Sequence, residues 1–198
     1  MFRAIADLIH RKRSTFSCKG KDLALGKGSA TANVGRGNVI IVEHLSQKGN
    51  PMLRTISHDE VYQLKPLLTA LAAYHNEVSV NFKGFYPNRP IGPTLAAFDK
   101  GLRDGTAACA VVEEDNAIVG LCKVDLHGDR GKLDYLIVGE AYRGRGFGKE
   151  LMDWAMQTFA DAGIRQVEVK VVDGNESAIR LYERYGFRMN AHILLREE

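Results

Sequence analysis

The spacing of apolar positions changes period several times along the chain, and each change marks an element. Phe147, Leu151, Ala155 and Phe159 recur four apart, with Met152 and Met156 alongside. Gly146 to Ala162 therefore reads as an amphipathic helix, stopped by Gly163. Just before it, Leu133 to Val138 is a short apolar run bounded by turn residues, as in a buried strand. Thr106 to Glu113 and Ile118 to Asp125 are rich in Ala and Val and flank Glu114-Asp-Asn-Ala117, so they pair as a hairpin. Gln166 to Val172 sets Val167, Val169 and Val171 against Glu168 and Lys170, the alternation of a half-buried strand. Ala178, Leu181, Tyr182 and Tyr185 share one face of a further helix, with Asn175 as N-cap and Gly186 at its C-terminal stop. Phe187 to Leu195 is expected to close the sheet.

Upstream, Leu53, Thr55 and Ser57 alternate with Arg54 and Ile56 as a first strand. Ser57-His-Asp-Glu60 forms a capping box that opens a helix through Val61, Leu64, Leu67, Leu68 and Leu71. Pro66 lies inside that pattern and removes an i→i−4 bond, so a kink or a restart is expected there. Asn81 to Pro93 carries glycines, prolines and asparagines that forbid a regular element, yet it also carries Phe82, Phe85 and Tyr86. A loop with so many aromatic residues either packs on the domain or covers a site. Thr94 to Arg103 is a short helix closed by Gly105. The order predicts an α/β fold, a mixed central β-sheet with helices on both faces.

Composition narrows the class. No apolar run approaches 18 residues, so no transmembrane helix and no membrane partner is expected. Cys18, Cys109 and Cys122 are an odd set without CxxC spacing, which fits a reducing, cytoplasmic setting and no disulfide framework. The six histidines lack ligand spacing, so no metal site is expected. Charge divides the chain. Residues 1–50 hold nine Lys and Arg against three Asp and Glu, whereas the rest is mildly acidic, which argues against nucleic acid as a partner of the domain. Residues 1–49 are accordingly read as a basic N-terminal extension and 50–198 as the folded domain. Within the extension, Phe2 to Arg13 has the pattern of a short basic amphipathic helix and Val39 to Val42 is a β-like run. A flexible tail or an extension from an early start codon is the favoured reading of this segment and an organelle presequence the other; a secretory signal does not fit, for lack of an apolar stretch.

The chemistry concentrates between Leu133 and Lys149. A strand that runs into glycines at a helix start is suited to an anion, because the first helical amides lack internal partners and the dipole favours negative charge. Glycine keeps a Cβ out of the approach. The Walker A spacing fails, since Arg143 stands in place of its first glycine and Glu150 follows Lys149; the dinucleotide fingerprint fails because Lys149 stands where its last glycine belongs. What remains is Arg143-x-x-Gly146-x-Gly148, five residues after Val138. It resembles motif A of the GNAT acyl-CoA N-acyltransferases, whose R/Q-x-x-G-x-G/A turn binds the coenzyme A diphosphate. Further on, Asn175-x-x-Ala178-x-x-Leu181-Tyr182-x-x-x-Gly186-Phe187 resembles the N-x-x-A-x-x-L-Y-x-x-x-G-F signature of the same superfamily. The resemblance covers residues 51–195.

That resemblance implies the GNAT fold and acetyl-CoA as co-substrate. The coenzyme would be held by Arg143, Gly144, Arg145, Gly146, Phe147, Gly148 and Lys149, mainly through the amides of Arg145 to Lys149. The amides of Ile137 and Val138 would face the thioester as oxyanion-type donors. Tyr182 matches the tyrosine often assigned to protonate the departing thiolate, with core packing as the alternative reading of its place. Asn175 matches a coenzyme contact and also suffices as a helix cap; Arg143 either contacts phosphate or braces the turn. The general base is not matched. The ribosomal-protein branch places a glutamate where this chain has Lys170, and the protein-lysine branch one where it has Lys132, which leaves Asp134, Glu168 and Glu140 as acidic candidates. The implied activity is acetyl transfer to a primary amine, a small molecule first and a protein N-terminus second, directly within a ternary complex. A non-catalytic acyl-CoA sensor is the alternative of another class, and the resemblance is compatible with a homodimer.

Overall fold

The computed structural model describes residues 50–196. The helix and the β-like run expected in the basic extension lie outside the described residues. Strand β1 (Met52–Thr55) leads to the capping box, in which the Ser57 N–H donates to Glu60 Oε2 at 3.0 Å. The box opens a 3₁₀ segment, His58–Leu64, and the chain restarts as helix α1 (Lys65–Val78) with Pro66 in its first turn. There the missing N–H leaves no bond unmade. The single-turn helix α2 (Phe85–Asn88) lies inside the segment expected to be irregular. Helix α3 (Ile91–Arg103) begins before the expected Thr94, with Pro93 accommodated in its first turn.

Strands β2 (Ala107–Glu114), β3 (Ala117–His127) and β4 (Arg130–Val138) follow, then helix α4 (Phe147–Asp161), strand β5 (Gln166–Val169) and helix α5 (Glu176–Arg184). The strands lie in sequence order in one sheet, antiparallel from β1 to β4, with β5 parallel to β4 by way of the α4 crossover. At the β2–β3 turn Asp115 and Asn116 both take positive φ, 51° and 61°, the type I′ geometry whose twist suits a tight hairpin.

Side-chain alternation divides the core between the two faces. Leu64, Leu68, Leu95 and Phe98 pack on Cys109, Val111, Leu121 and Ile137. On the other face Leu151, Met152, Phe159 and Tyr182 pack on Val112, Cys122, Val124 and Leu133. The mixed sheet with helices on both faces is therefore as expected. Cys109 and Cys122 are buried free thiols on opposite faces of the sheet, and burial pushes the Cys109 thiol up to about 12, out of the reactive range.

Two expectations are corrected. β5 ends at Val169 rather than Val172. Phe187 to Leu195 forms no strand: Gly186, at φ 85°, reverses the chain, and the Phe187 N–H returns to the Tyr182 carbonyl at 3.1 Å. That closure turns the segment out of the sheet and leaves Met189, Ile193, Leu194 and Leu195 exposed.

Candidate functional site

Sheet register makes the site. β4 pairs with β5 only from Arg130 to Leu133, against Gln166 to Val169. Beyond Leu133, β4 stays paired with β3 as far as Val138 while β5 has ended, so the strands part and the β5-facing edge of β4 from Asp134 to Val138 lies open. Backbone alternation decides which groups face that wedge. The Gly139 N–H donates to Val119 on β3 at 2.8 Å, so the Ile137 amide also points to β3, while those of Leu136 and Val138 point to the open edge. Of the two amides expected to face the thioester, Val138 faces the wedge. Leu136, which sequence reasoning did not single out, takes the place expected of Ile137.

The wedge ends at the glycine turn. Gly144 and Gly146 hold φ of 76° and 94°, values only glycine adopts without strain, and they aim the chain into α4. The amides of Gly144, Arg145, Gly146, Phe147 and Gly148 donate to no described acceptor, whereas that of Lys149 donates to the Gly146 carbonyl at 2.9 Å. The amides without a described acceptor are thus Gly144 to Gly148, one step earlier than the Arg145 to Lys149 expected to face the anion. Gly148 is telling, because it is helical and a Cβ there would meet nothing within 4 Å. Neither backbone nor packing demands glycine, so its effect is to leave the approach to the first-turn amides uncovered. That cradle fits a diphosphate.

Two of the three cations of the turn are committed. Arg145 makes a fork to Glu114, 2.6 and 2.8 Å, with its guanidinium 4.8 Å from the Phe147 ring centroid; Lys149 pairs with Asp153 at 2.6 Å. Arg143 has no carboxylate partner among the described residues. Its Nε donates to the Val138 carbonyl at 3.3 Å and its guanidinium lies 4.8 Å from the Tyr74 ring centroid, at the mouth of the wedge. Phe147 is buried in the core beneath the turn.

On the far side of the wedge Asn175 caps α5, its Oδ1 accepting from the Ala178 N–H at 3.3 Å and from Ser177 Oγ at 3.0 Å. A backbone donor at Oδ1 fixes the orientation of the amide, so Nδ2 is left as a donor without a described acceptor. Capping and ligand contact are therefore not alternatives, because they use different atoms of the side chain. Tyr182 is 8% exposed and packs in the apolar cluster that includes Leu136, Val138 and Val169 around the wedge. Its hydroxyl makes no described hydrogen bond, and burial raises its pKa, which keeps the proton on.

The acidic candidates lie differently. The β3–β4 register skips between Lys123 and Val124, which leaves Asp134 as the unopposed residue of a bulge where the strands part. Its carboxylate pairs with Lys123, at 2.8 Å, and with Lys132; Lys123, only 5% exposed at its side chain, also holds Asp125 at 2.6 Å. Burial would raise the Asp134 pKa, but the bonds and charges of Lys123 and Lys132 outweigh it and hold the carboxyl below its ordinary value. That makes it a weak base. Glu168 is exposed on β5, with its Cα opposite Lys132. Glu140 is exposed in a 3₁₀ turn before the glycines. No cluster of metal-ligating side chains occurs among the described residues.

A mixed sheet that splays beside a glycine turn, with helices on both faces, is an α/β domain with an open strand edge leading to a helix N-terminus. The Acetyltransferase (GNAT) family profile matches residues 71–187, more than half of the chain, and the chain belongs to that family. It is 38% identical over 85 residues to an uncharacterized N-acetyltransferase of Bacillus subtilis, covering 41% of this chain and 48% of that one. It is 32% identical over 62 residues to the spermine/spermidine N(1)-acetyltransferase of the same organism, covering 31% and 41%. To an N-alpha-acetyltransferase of Arabidopsis thaliana it is 31% identical over 91 residues, covering 46% and 42%. The chain thus spans less than half the length of each of these relatives. Among solved structures, a GCN5-related N-acetyltransferase from Ralstonia eutropha superposes with a TM-score of 0.61 at 19% identity, covering 75% of this chain and 99% of that one. The PaiA N-acetyltransferase of Thermoplasma acidophilum, in complex with coenzyme A, gives 0.62 at 14% identity, covering 72% and 92%. At such identities these structures speak for the fold alone.

Proposed function

We propose that this chain transfers an acetyl group from acetyl-CoA to a primary amine, directly and within a ternary complex, and that the acceptor is a small amine. The observation that carries the reading is the continuity of the open β4 edge with the Gly144 to Gly148 amides, which have no described acceptor, and with Arg143, which has no carboxylate partner among the described residues. A pantetheine arm extends from a diphosphate in just that sense. The relatives acting on spermine or spermidine and on protein N-termini support both acceptor classes, and a protein N-terminus is the second choice.

Acetyl-CoA supplies an acyl group already activated as a thioester, so the chain contributes mainly position and polarity. The Gly144–Gly148 amides and Arg143 hold the diphosphate. The Leu136 and Val138 amides receive the pantetheine arm, and Val138 polarises the acyl carbonyl. As the amine nitrogen bonds to the carbonyl carbon and the C–S bond breaks, Tyr182 gives its hydroxyl proton to the sulfur and recovers one from the nitrogen through solvent. Asp134, held by two lysines, is not set up as a strong base, and Glu168 lies exposed on β5, so the amine enters unprotonated or loses its proton through water. The same fact favours the runner-up, an acyl-CoA sensor without transfer. Measuring thiol release from acetyl-CoA against a panel of small amines and peptides decides between them: amine-dependent release is expected, and tight coenzyme binding with no release under any amine rejects transfer.

A further inference from the structure

Tyr74, on α1, is absent from both sequence motifs and yet touches both sides of the wedge. Its hydroxyl lies 3.3 Å from Asn175 Oδ1 and 3.2 Å from Ser177 Oγ, on the α5 side. Its ring faces the guanidinium of Arg143, whose Nε is anchored on the last carbonyl of β4. A second contact brings α1 to the same place: Gly174 has φ 93°, and a Cβ there would stand 2.2 Å from the Val78 carbonyl oxygen at the end of α1. The loop before α5 is thus seated directly on the helix that carries Tyr74. With no β5 pairing beyond Val169, these polar contacts add to the apolar packing of Tyr182 with Leu136 and Val138 in linking the two walls of the wedge.

We propose that Tyr74 is a positioning residue for the coenzyme, a strut that fixes the width of the wedge and aims its two polar ends. The hydroxyl occupies Asn175 Oδ1 together with the helix amide, so Nδ2 is the atom turned to the pantetheine arm. The ring holds the Arg143 guanidinium at the mouth of the wedge, where the diphosphate arrives, through a cation–π contact that leaves its N–H groups available. One side chain therefore serves both halves of the coenzyme, and by different atoms. This rests on the acetyl-CoA reading above.

Two variants and two ligands separate those atoms. The ligands are acetyl-CoA and 3′-phosphoadenosine 5′-diphosphate, which carries the diphosphate without the arm. Tyr74→Phe keeps the ring: titration calorimetry should show acetyl-CoA binding weakened roughly 3- to 10-fold, the range for losing one hydrogen bond, with the fragment's affinity unchanged. Tyr74→Ala removes the ring as well and should weaken both ligands. If Tyr74→Phe weakens both equally, or neither while the melting temperature falls, Tyr74 is structural and the proposal is overturned. Wild-type protein that binds neither ligand overturns the acetyl-CoA reading itself, which is a distinct result.

Discussion

At the scale of single residues, Tyr182 and Gly148 give the cleanest tests because each isolates one atom or one surface. The Tyr182 hydroxyl makes no described hydrogen bond, so Tyr182→Phe leaves no polar partner unsatisfied and keeps the ring that packs against Phe187. If the hydroxyl donates to the sulfur, kcat falls by about 10²–10⁴, nearer the lower end because a thiolate is a fair leaving group, with melting temperature and coenzyme affinity little changed. Steady-state kinetics with an accepted amine measures it; an unchanged kcat with chemistry rate-limiting removes the acid role. Gly148 improves on Gly146 as a probe of the anchor. A side chain at Gly146, with φ 94°, would strain the backbone, whereas Gly148 is helical with open space before it. Gly148→Val should therefore fold normally and bind acetyl-CoA about 2 kcal/mol more weakly, from lost charge-assisted amide bonds. Equal affinities by calorimetry would show that the turn does not hold the diphosphate.

At the scale of elements, the β3–β4 pair carries a buried ionic network where the wedge begins. The Lys123 ammonium, between Asp125 and Asp134, also lies 4.9 Å from the Phe98 ring centroid, so strand pairing, the bulge and α3 meet at one cation. Asp134→Asn removes the charge of one partner while Asp125 remains, and should cost about 2 kcal/mol near pH 7. The pH dependence has a definite sign. The folded state holds the Asp134 carboxyl below its ordinary value, so its contribution is present above about pH 4 and is lost as pH falls through the folded value. The stability gap between wild type and Asp134→Asn should narrow from neutral pH toward about pH 2. Denaturant melts along that range check it, and a gap that stays constant means the ion pairs are not its source. On the other face, Leu151 of α4 is fully buried against the sheet, and Leu151→Ala should destabilise by about 2–5 kcal/mol through lost burial and a cavity.

At the scale of the whole molecule, the family match begins at residue 71, and the apolar cores described are built from residues from Leu53 onward. Removing residues 1–49 should therefore leave a cooperative melt and acetyl-CoA affinity unchanged. Loss of either in the shortened chain would place part of the basic extension within the domain. β5 stops pairing at Val169, so beyond it opening of the wedge is resisted by side-chain packing and by contacts of α1 and α5 rather than by strand pairing.

Local physics made much of this legible. A period of four specified α4, alternating valines placed β5, Asp115-Asn116 announced the hairpin turn, and Asn175 with Gly186 bounded α5, because caps, turns and amphipathic faces are set by neighbouring residues. The glycine turn was legible for the same reason: its glycines and the helix they open are contiguous. Other features depended on partners distant in sequence. The register slip that leaves Asp134 unopposed, the point where β5 stops pairing, and the resulting exchange of Leu136 for Ile137 follow from how three strands align. The lysines that weaken Asp134 as a base, and the Tyr74 strut linked to Asn175 across 101 positions, arise only when the chain is folded. Residues alone singled out the glycine turn, but only tertiary packing decided which atoms face the wedge, since pointing direction is a property of pairing and not of composition.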